Sequence, residues 1–336
     1  MERTKTGAIA VLGAGSWGTA LATQFARSGR PTRLWARHES TAASIRAQRC
    51  NERYLPGVEL PEGLEVTSDL REAVRSGDEV LVAVPSHSLR STITAVRDTG
   101  ASLSGLAWAT KGIELDTGLL PHQVAAELLP EDLPTAVLSG PTFAREVAIG
   151  LPSAMTVAST SEPHARRLAE ALSTGMFRAY LSSDVTGVEV GGAAKNVFAI
   201  GAGISDGLGF GANTRAALIT RALAEMTRLG VALGAQRETF MGLAGIGDLV
   251  LTCTDDQSRN RRFGLGLARG ESVNDALAGI GQVVEGYFAA HAVHRVAQRE
   301  SVDMPIVDQL YAVLYESLDP RSAVGSLMKR PIMRES

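Results

Sequence analysis

The first half of the chain alternates short apolar runs with amphipathic stretches, and this alternation limits the fold more than any single motif does. Runs at 8–12, 32–37, 64–67, 79–84, 105–110, 135–138, 154–158 and 177–181 read as strands. Between several of them, 19–27, 40–49, 119–129 and 163–172 carry apolar residues at helical spacing. Strand and helix in turn argue for an α/β fold, a mainly parallel, doubly wound sheet with helices on both faces. After about Ser183 the texture changes. Segments 188–204, 214–229, 273–277, 285–300 and 305–316 all read as helices, with no strand-like alternation between them. Ser182, Ser183 and Asp184 supply N-cap candidates for the first of these helices. The expected organisation is therefore an α/β domain over 1–183 and an all-α domain over 184–336, and a length of 336 residues suits two domains.

Composition removes several classes of function. Hydrophobic residues at 45% and charged residues at 21% describe a globular chain rather than a disordered one. With 33 Lys plus Arg against 36 Asp plus Glu, the net charge of −3 provides no field to steer nucleic acid. Two cysteines, Cys50 and Cys253, are too few for a disulfide framework or a thiolate cluster, and a cytoplasmic location follows as the expectation. The first residues show no secretion signal, and the longest apolar runs fall short of a membrane span. Five histidines, His87, His122, His164, His291 and His294, show no spacing that would pair them with acids around a metal, and none is expected.

Directly after the first apolar run stands Gly13-Ala14-Gly15-Ser16-Trp17-Gly18, followed at once by a helical pattern. In that order of strand, turn and helix, Gly13 can make a tight turn, Gly15 can admit a pyrophosphate against bare backbone, and Gly18 can pack helix on strand. The first domain thus reads as a Rossmann-type dinucleotide-binding unit. About 20 residues further on, where a site for NAD usually places an acid, the chain has Arg37 and His38. A guanidinium matches a 2′-phosphate in charge and in its forked donors, which favours NADPH, with NADH possible. Two alternatives stand beside this reading: Arg37 as a solvated surface residue, and Glu39 as the ribose ligand. His38 either lines the phosphate or is simply exposed.

Four other polar places sit in apolar or glycine-rich surroundings: Thr110-Lys111-Gly112, Ser139-Gly140-Pro141-Thr142, Gly191-Gly192-Ala193-Ala194-Lys195-Asn196, and the stretch 243–260. Lys195 lies in an otherwise nearly uncharged run that would be buried as a helix. Burial disfavours the ammonium and suits the amine to proton exchange with a substrate oxygen. The alternative is a lysine whose stem packs while its head reaches water. Asp248 follows Gly245-Ile246-Gly247, a turn that could bring it near the lysines, or it caps the helix that begins at Leu249. Cys253 lacks an adjacent base and reads as a packed thiol. Arg259, Arg261 and Arg262 form a basic cluster without interleaved aromatics, better suited to a phosphate pocket than to nucleic acid. Asp255 and Asp256 are expected to face solvent.

Together these stretches, with Lys111-Gly112-Ile113-Glu114, Ser258-Arg259-Asn260 and Val283-Val284-Glu285-Gly286, resemble the NAD(P)-dependent glycerol-3-phosphate dehydrogenases in their bacterial form, over nearly the whole chain. The resemblance implies an oxidoreductase that reversibly reduces dihydroxyacetone phosphate to sn-glycerol 3-phosphate, supplying glycerophospholipid synthesis. It implies Lys195 as proton donor and acceptor at C2, Lys111 as a second cation touching substrate and cofactor, and Asp248 as the balance to the lysine charges. Arg259, Asn260 and Ser258 would hold the substrate phosphate, with Asn196, Thr252, Gly140 and Thr142 completing the lining. Gly13, Gly15, Ser16, Trp17, Gly18, Arg37, His38, Tyr54, Lys111 and Ala144 would line the cofactor, with Arg259, Val283 and Glu285 reaching it from the helical half. Thr142 stands where the family often has serine, which keeps the hydroxyl. A homodimer is expected from the apolar helices, with no partner among nucleic acids and no insertion into membranes. Two other readings stay open: a reductase of the same plan acting on a hydroxyacid or ketoacid, and a nicotinamide-binding sensor without catalysis.

Overall fold

The computed structural model describes residues 7–331. Ten strands occur in chain order: β1 (Ile9–Leu12), β2 (Thr32–Trp35), β3 (Cys50–Asn51), β4 (Leu55–Glu59), β5 (Leu64–Thr67), β6 (Glu79–Val82), β7 (Gly105–Trp108), β8 (Thr135–Ser139), β9 (Ser153–Ala158) and β10 (Phe177–Ser182). Helices α1 (Ser16–Arg27), α2 (Glu39–Gln48), α3 (Leu70–Ala73), α4 (Leu89–Arg97), α5 (Pro121–Leu128), α6 (Ala144–Ile149) and α7 (Glu162–Leu172) lie between them. Beyond β10 come α8 (Val185–Gly207), α9 (Ala212–Ala232), α10 (Asp248–Thr254), α11 (Arg259–Ala268), α12 (Val273–Ile280), α13 (Glu285–Arg299), α14 (Pro305–Tyr315) and α15 (Pro320–Met328).

Eight strands form one sheet in the order β10-β9-β8-β7-β6-β1-β2-β5. Every neighbouring pair is parallel except β8 with β9. The central strands are buried on both faces, so β1 reads Ile-Ala-Val-Leu without a polar residue. The chain leaves β1 towards β2 and β5, then returns to β6 on the other side of β1, which puts the switch point at the carboxyl ends of β1 and β6. One face of the sheet packs under Leu21, Phe25, Val147, Leu168 and Leu172 from α1, α6 and α7. The short antiparallel hairpin β3–β4 was not read from the sequence; Arg145 at the start of α6 donates to the Pro56 carbonyl at 2.9 Å and ties that hairpin to α6.

Contacts divide the chain into two compact units, 1–111 with 120–189, and 112–119 with 190–336. The boundary read from the sequence, 183/184, falls at the start of α8, the helix that both units share. Segment 112–119 joins the helical unit, where Arg295 donates to the Leu115 carbonyl at 2.8 Å. In the first unit, Glu189 on the opening turns of α8 accepts from the Trp108 indole at 2.8 Å and from the His122 backbone at 2.9 Å, while His122 Nδ1 lies 2.6 Å from its second oxygen. Burial raises the Glu189 carboxyl above its ordinary value; burial also disfavours the charged His122 imidazole, but the bond and charge of Glu189 outweigh it and raise His122. Among the described residues, no helix is long and apolar enough to cross a membrane.

Candidate active site

In the sheet unit, the glycine turn has the geometry that a pyrophosphate needs. Gly13 has φ +116°, and a Cβ on Gly18 would stand 1.9 Å from the Gly13 carbonyl oxygen, so only glycine lets α1 start so close to β1. A Cβ on Gly15 would meet nothing within 4 Å, so its bare backbone faces open space. Gly15 is the N-cap of α1, with Ser16 and Trp17 in the first turn, where backbone N–H groups point outward. The Trp17 indole nitrogen is buried without a hydrogen-bond partner among the described residues. A buried donor of this kind is satisfied when a ligand brings an acceptor. The turn fits a dinucleotide.

Arg37 lies just past the end of β2, exposed and with no hydrogen-bond partner among the described residues. Glu39, the alternative ribose ligand, is already engaged: it accepts from Arg46 at 2.5 Å and from Ser68 at 2.6 Å, and these bonds hold its carboxyl below the ordinary range. His38 occupies the N-cap position of α2 with its side chain exposed and unused as a cap. Tyr54 sits in the turn of the β3–β4 hairpin, half-buried, under the Arg53 guanidinium at 5.1 Å. Ala144 opens α6 and packs against the sheet core.

Beyond the carboxyl ends of β7 and β8, Lys111, Gly140 and Thr142 come together. The Lys111 ammonium donates to the Gly140 carbonyl at 3.3 Å, and the Thr142 hydroxyl donates to the same oxygen at 3.2 Å. A Cβ on Gly140 would lie 2.8 Å from Met155 Cα, so a larger residue would push this loop off β9. Ser139, beside Gly140, has a buried hydroxyl without a partner among the described residues.

The helical unit gathers the other group. Lys195 on α8 is 6% exposed, and its ammonium donates to the Asp248 carboxylate and to Thr252 Oγ1 at 3.1 Å. Thr252 in turn donates to the Asp248 backbone carbonyl at 2.6 Å. Asp248 is 0% exposed and lies inside α10; Gly247 takes the N-cap position, so the capping alternative is replaced by the ion pair. Two features bring Asp248 there. Residues Leu243–Gly247 form a single π-helical turn with a kink at Gly245, and a Cβ on Gly191 would come within 2.3 Å of the Ala244 carbonyl. Gly191, one helical turn before Lys195, therefore lets this turn lie against α8.

Asn196 and Asn260 continue the network. Asn260 Nδ2 donates to Asn196 Oδ1 at 2.8 Å, Asn196 Nδ2 donates to the Gly192 carbonyl at 3.3 Å, and Asn260 Oδ1 accepts from the Gly286 N–H at 2.9 Å. Ser258 is buried and caps α11, its hydroxyl accepting from the Arg261 N–H at 3.2 Å. Arg259 is half-buried and donates to Gln282 Oε1 at 3.3 Å; burial pulls its guanidinium below its ordinary value, against the opposing charge of Glu285. Val283 is exposed, and Glu285 opens α13. Cys253 is fully buried, and its thiol is pushed up to about 12, which suits packing rather than nucleophilic attack.

Asp256 is exposed, as expected, and its carboxylate also pairs with Arg261. One expectation needs correction. Arg261, counted in the phosphate cluster, is buried and held by Asp256 and Asp206. Gln282 and Glu189 were overlooked. Glu189 carried the signal that exposed Lys195, a lone charge in an apolar helix.

Sequence models for the N-terminus and C-terminus of NAD-dependent glycerol-3-phosphate dehydrogenase match residues 8–165 and 184–325. The chain is 54% identical over 328 residues to the NAD(P)+ glycerol-3-phosphate dehydrogenase of Pseudoalteromonas translucida (strain TAC 125), covering 97% of this chain and 98% of that one. It is 55% identical to the enzyme of that name from Methylococcus capsulatus (strain ATCC 33009 / NCIMB 11132 / Bath), covering 96% of each. The crystal structure of glycerol-3-phosphate dehydrogenase from Coxiella burnetii superposes with a TM-score of 0.92 at 45% identity, covering 96% of this chain and 99% of that one. The chain belongs to the NAD-dependent glycerol-3-phosphate dehydrogenase family.

Proposed function

We propose that this chain reduces dihydroxyacetone phosphate to sn-glycerol 3-phosphate, reversibly, with NADPH or NADH. The observation that carries the mechanism is the buried Lys195–Asp248–Thr252 cluster, joined through Asn196 to Asn260 and so to the helix start that bears Arg259. The dinucleotide, when bound, supplies the hydride. Gly13, Gly15, Ser16, Trp17 and Gly18 would hold its pyrophosphate, and Arg37 and His38 would serve the adenosine ribose with its 2′-phosphate. Tyr54 and Ala144 of the same unit would complete that lining.

Reduction puts negative charge on the oxygen at C2. Lys195 stabilises that charge and delivers the proton, and Lys111 adds a second cation. Asp248 and Thr252 hold the Lys195 amine in one orientation, which keeps its proton aimed at a single oxygen. Arg259 grips the substrate phosphate with its fork, and Ser258 and Asn260 flank it. Gly140 and Thr142 support the substrate beside Lys111. In this reading 1–183 carries the cofactor and 184–336 carries the acid and the phosphate anchor. The protein acts in the cytoplasm, as a homodimer, and feeds glycerophospholipid synthesis. The test is product identity: dihydroxyacetone phosphate and NADPH should give sn-glycerol 3-phosphate in equimolar amount to the cofactor consumed, and a racemic or phosphate-free product would overturn the assignment.

A further inference from the structure

Arg261 has no task in the chemistry above, yet the fold invests heavily in it. It is 8% exposed, its Nη2 donates to Asp206 Oδ2 at 2.6 Å, and its Nη1 pairs with Asp256. Asp206, near the end of α8, also accepts from Arg215 of α9 at 3.0 Å. One guanidinium therefore ties together the end of α8, α9 through the shared aspartate, the turn before α11, and the first turn of α11. The backbones are close at the same place. A Cβ on Gly203 of α8 would stand 2.0 Å from the Arg261 carbonyl oxygen, and one on Gly264 of α11 would stand 2.1 Å from that of Ile200.

Taking a guanidinium out of water costs several kcal/mol, which only well-placed carboxylates offset. A planar fork can meet two separate carboxylates at fixed angles, and an ammonium cannot. With both Nη groups held by aspartates, Arg261 is not set to serve as a phosphate ligand. Arg259, two residues earlier, donates to the neutral Gln282 amide at 3.3 Å, and Asn260 between them is bonded to Asn196, the neighbour of Lys195. We propose that Arg261 is a positioning residue: clamped by Asp206 and Asp256, it fixes the first turn of α11 so that Arg259 meets the substrate phosphate at a set distance from Lys195.

This rests on the function proposed above, and the test separates the two. Compare kcat and KM for dihydroxyacetone phosphate and for phosphate-free dihydroxyacetone in wild type, Arg261→Lys and Asp256→Asn. Arg261→Lys should lower kcat/KM for the phosphorylated ketone about tenfold or more, mainly through KM. Its kcat/KM for dihydroxyacetone should stay within about twofold of wild type. Asp256→Asn should act in the same direction and more weakly. Its side chain is 78% exposed, so it carries the test if Arg261→Lys fails to fold. Equal losses on both ketones, or no loss on either, would overturn the positioning role. A wild type inert towards dihydroxyacetone phosphate would instead overturn the functional reading beneath it.

Discussion

Removing the Lys195 ammonium while keeping its stem, as in Lys195→Met, should separate catalysis from stability. Asp248 is 0% exposed and in contact with the Lys195 ammonium. Deleting one partner of a buried ion pair takes from the other its opposite charge and costs about 3–5 kcal/mol. For a unit of roughly 150 residues, each kcal/mol moves the melting temperature by about 2–4 °C, so the single variant should melt about 6–20 °C lower. Replacing the partner as well, in Lys195→Met with Asp248→Leu, removes the remaining buried carboxylate and should restore most of that loss, because apolar replacement of a whole buried pair is often neutral. Both variants should be inactive. The assay is thermal melting by circular dichroism together with turnover at a temperature where both are folded. A single variant as stable as wild type would refute the idea that the pair is a buried, mutually dependent ion pair. Activity returning with stability in the double variant would refute the catalytic role of Lys195.

Further outcomes follow from other parts of the structure. Arg37→Asp should lower kcat/KM for NADPH by about 10- to 100-fold while sparing NADH, the value of a charge-assisted bond to a phosphate; an unchanged cofactor ratio would remove Arg37 from the site. Gly18→Ala drives a methyl group to 1.9 Å from the Gly13 carbonyl, and it should cost about 1–3 kcal/mol of stability and weaken NADPH binding in a fluorescence titration. Glu225 is buried and raised to about 7 by desolvation, against two backbone N–H donors from Ile306 and Val307. Folding therefore takes up a proton here, so this group's stabilisation is present below its unfolded value near 4.5 and falls as pH rises through about 7. Wild type should lose roughly 3 kcal/mol from this source between pH 5 and 8, and Glu225→Gln should melt with a flatter pH profile.

The sheet was legible because buried parallel strands are continuous apolar runs, and β5 was found to the residue at Leu64–Thr67. The β3–β4 hairpin was not, because Cys50–Asn51 is too short to show a period and Pro56-Gly57 reads as a loop. The antiparallel pairing of β8 with β9 leaves no local mark either; only α6 separates them. In the helical unit, α11 escaped because Gly264 and Gly266 interrupt a polar stretch, and its helix is held instead by backbone contact with α8. The site residues stood out where a charge broke an apolar run, as Lys195 does. Arg261 was misjudged for the opposite reason. Its neighbours in sequence are arginines, whereas the partner that defines it, Asp206, lies 55 residues away. A sequence shows which charges are out of place, but a partner that distant is found only in the fold.

The central claim is that a phosphate anchor and a buried acid act on one ketone. The most direct measurement is the rate of NADPH oxidation, followed by its absorbance, with dihydroxyacetone phosphate, dihydroxyacetone and a 2-ketoacid in parallel at saturating cofactor. Rapid oxidation with dihydroxyacetone phosphate, and little with the other two, is the predicted result. Oxidation driven by the ketoacid, or none with any ketone despite NADPH binding, would contradict it.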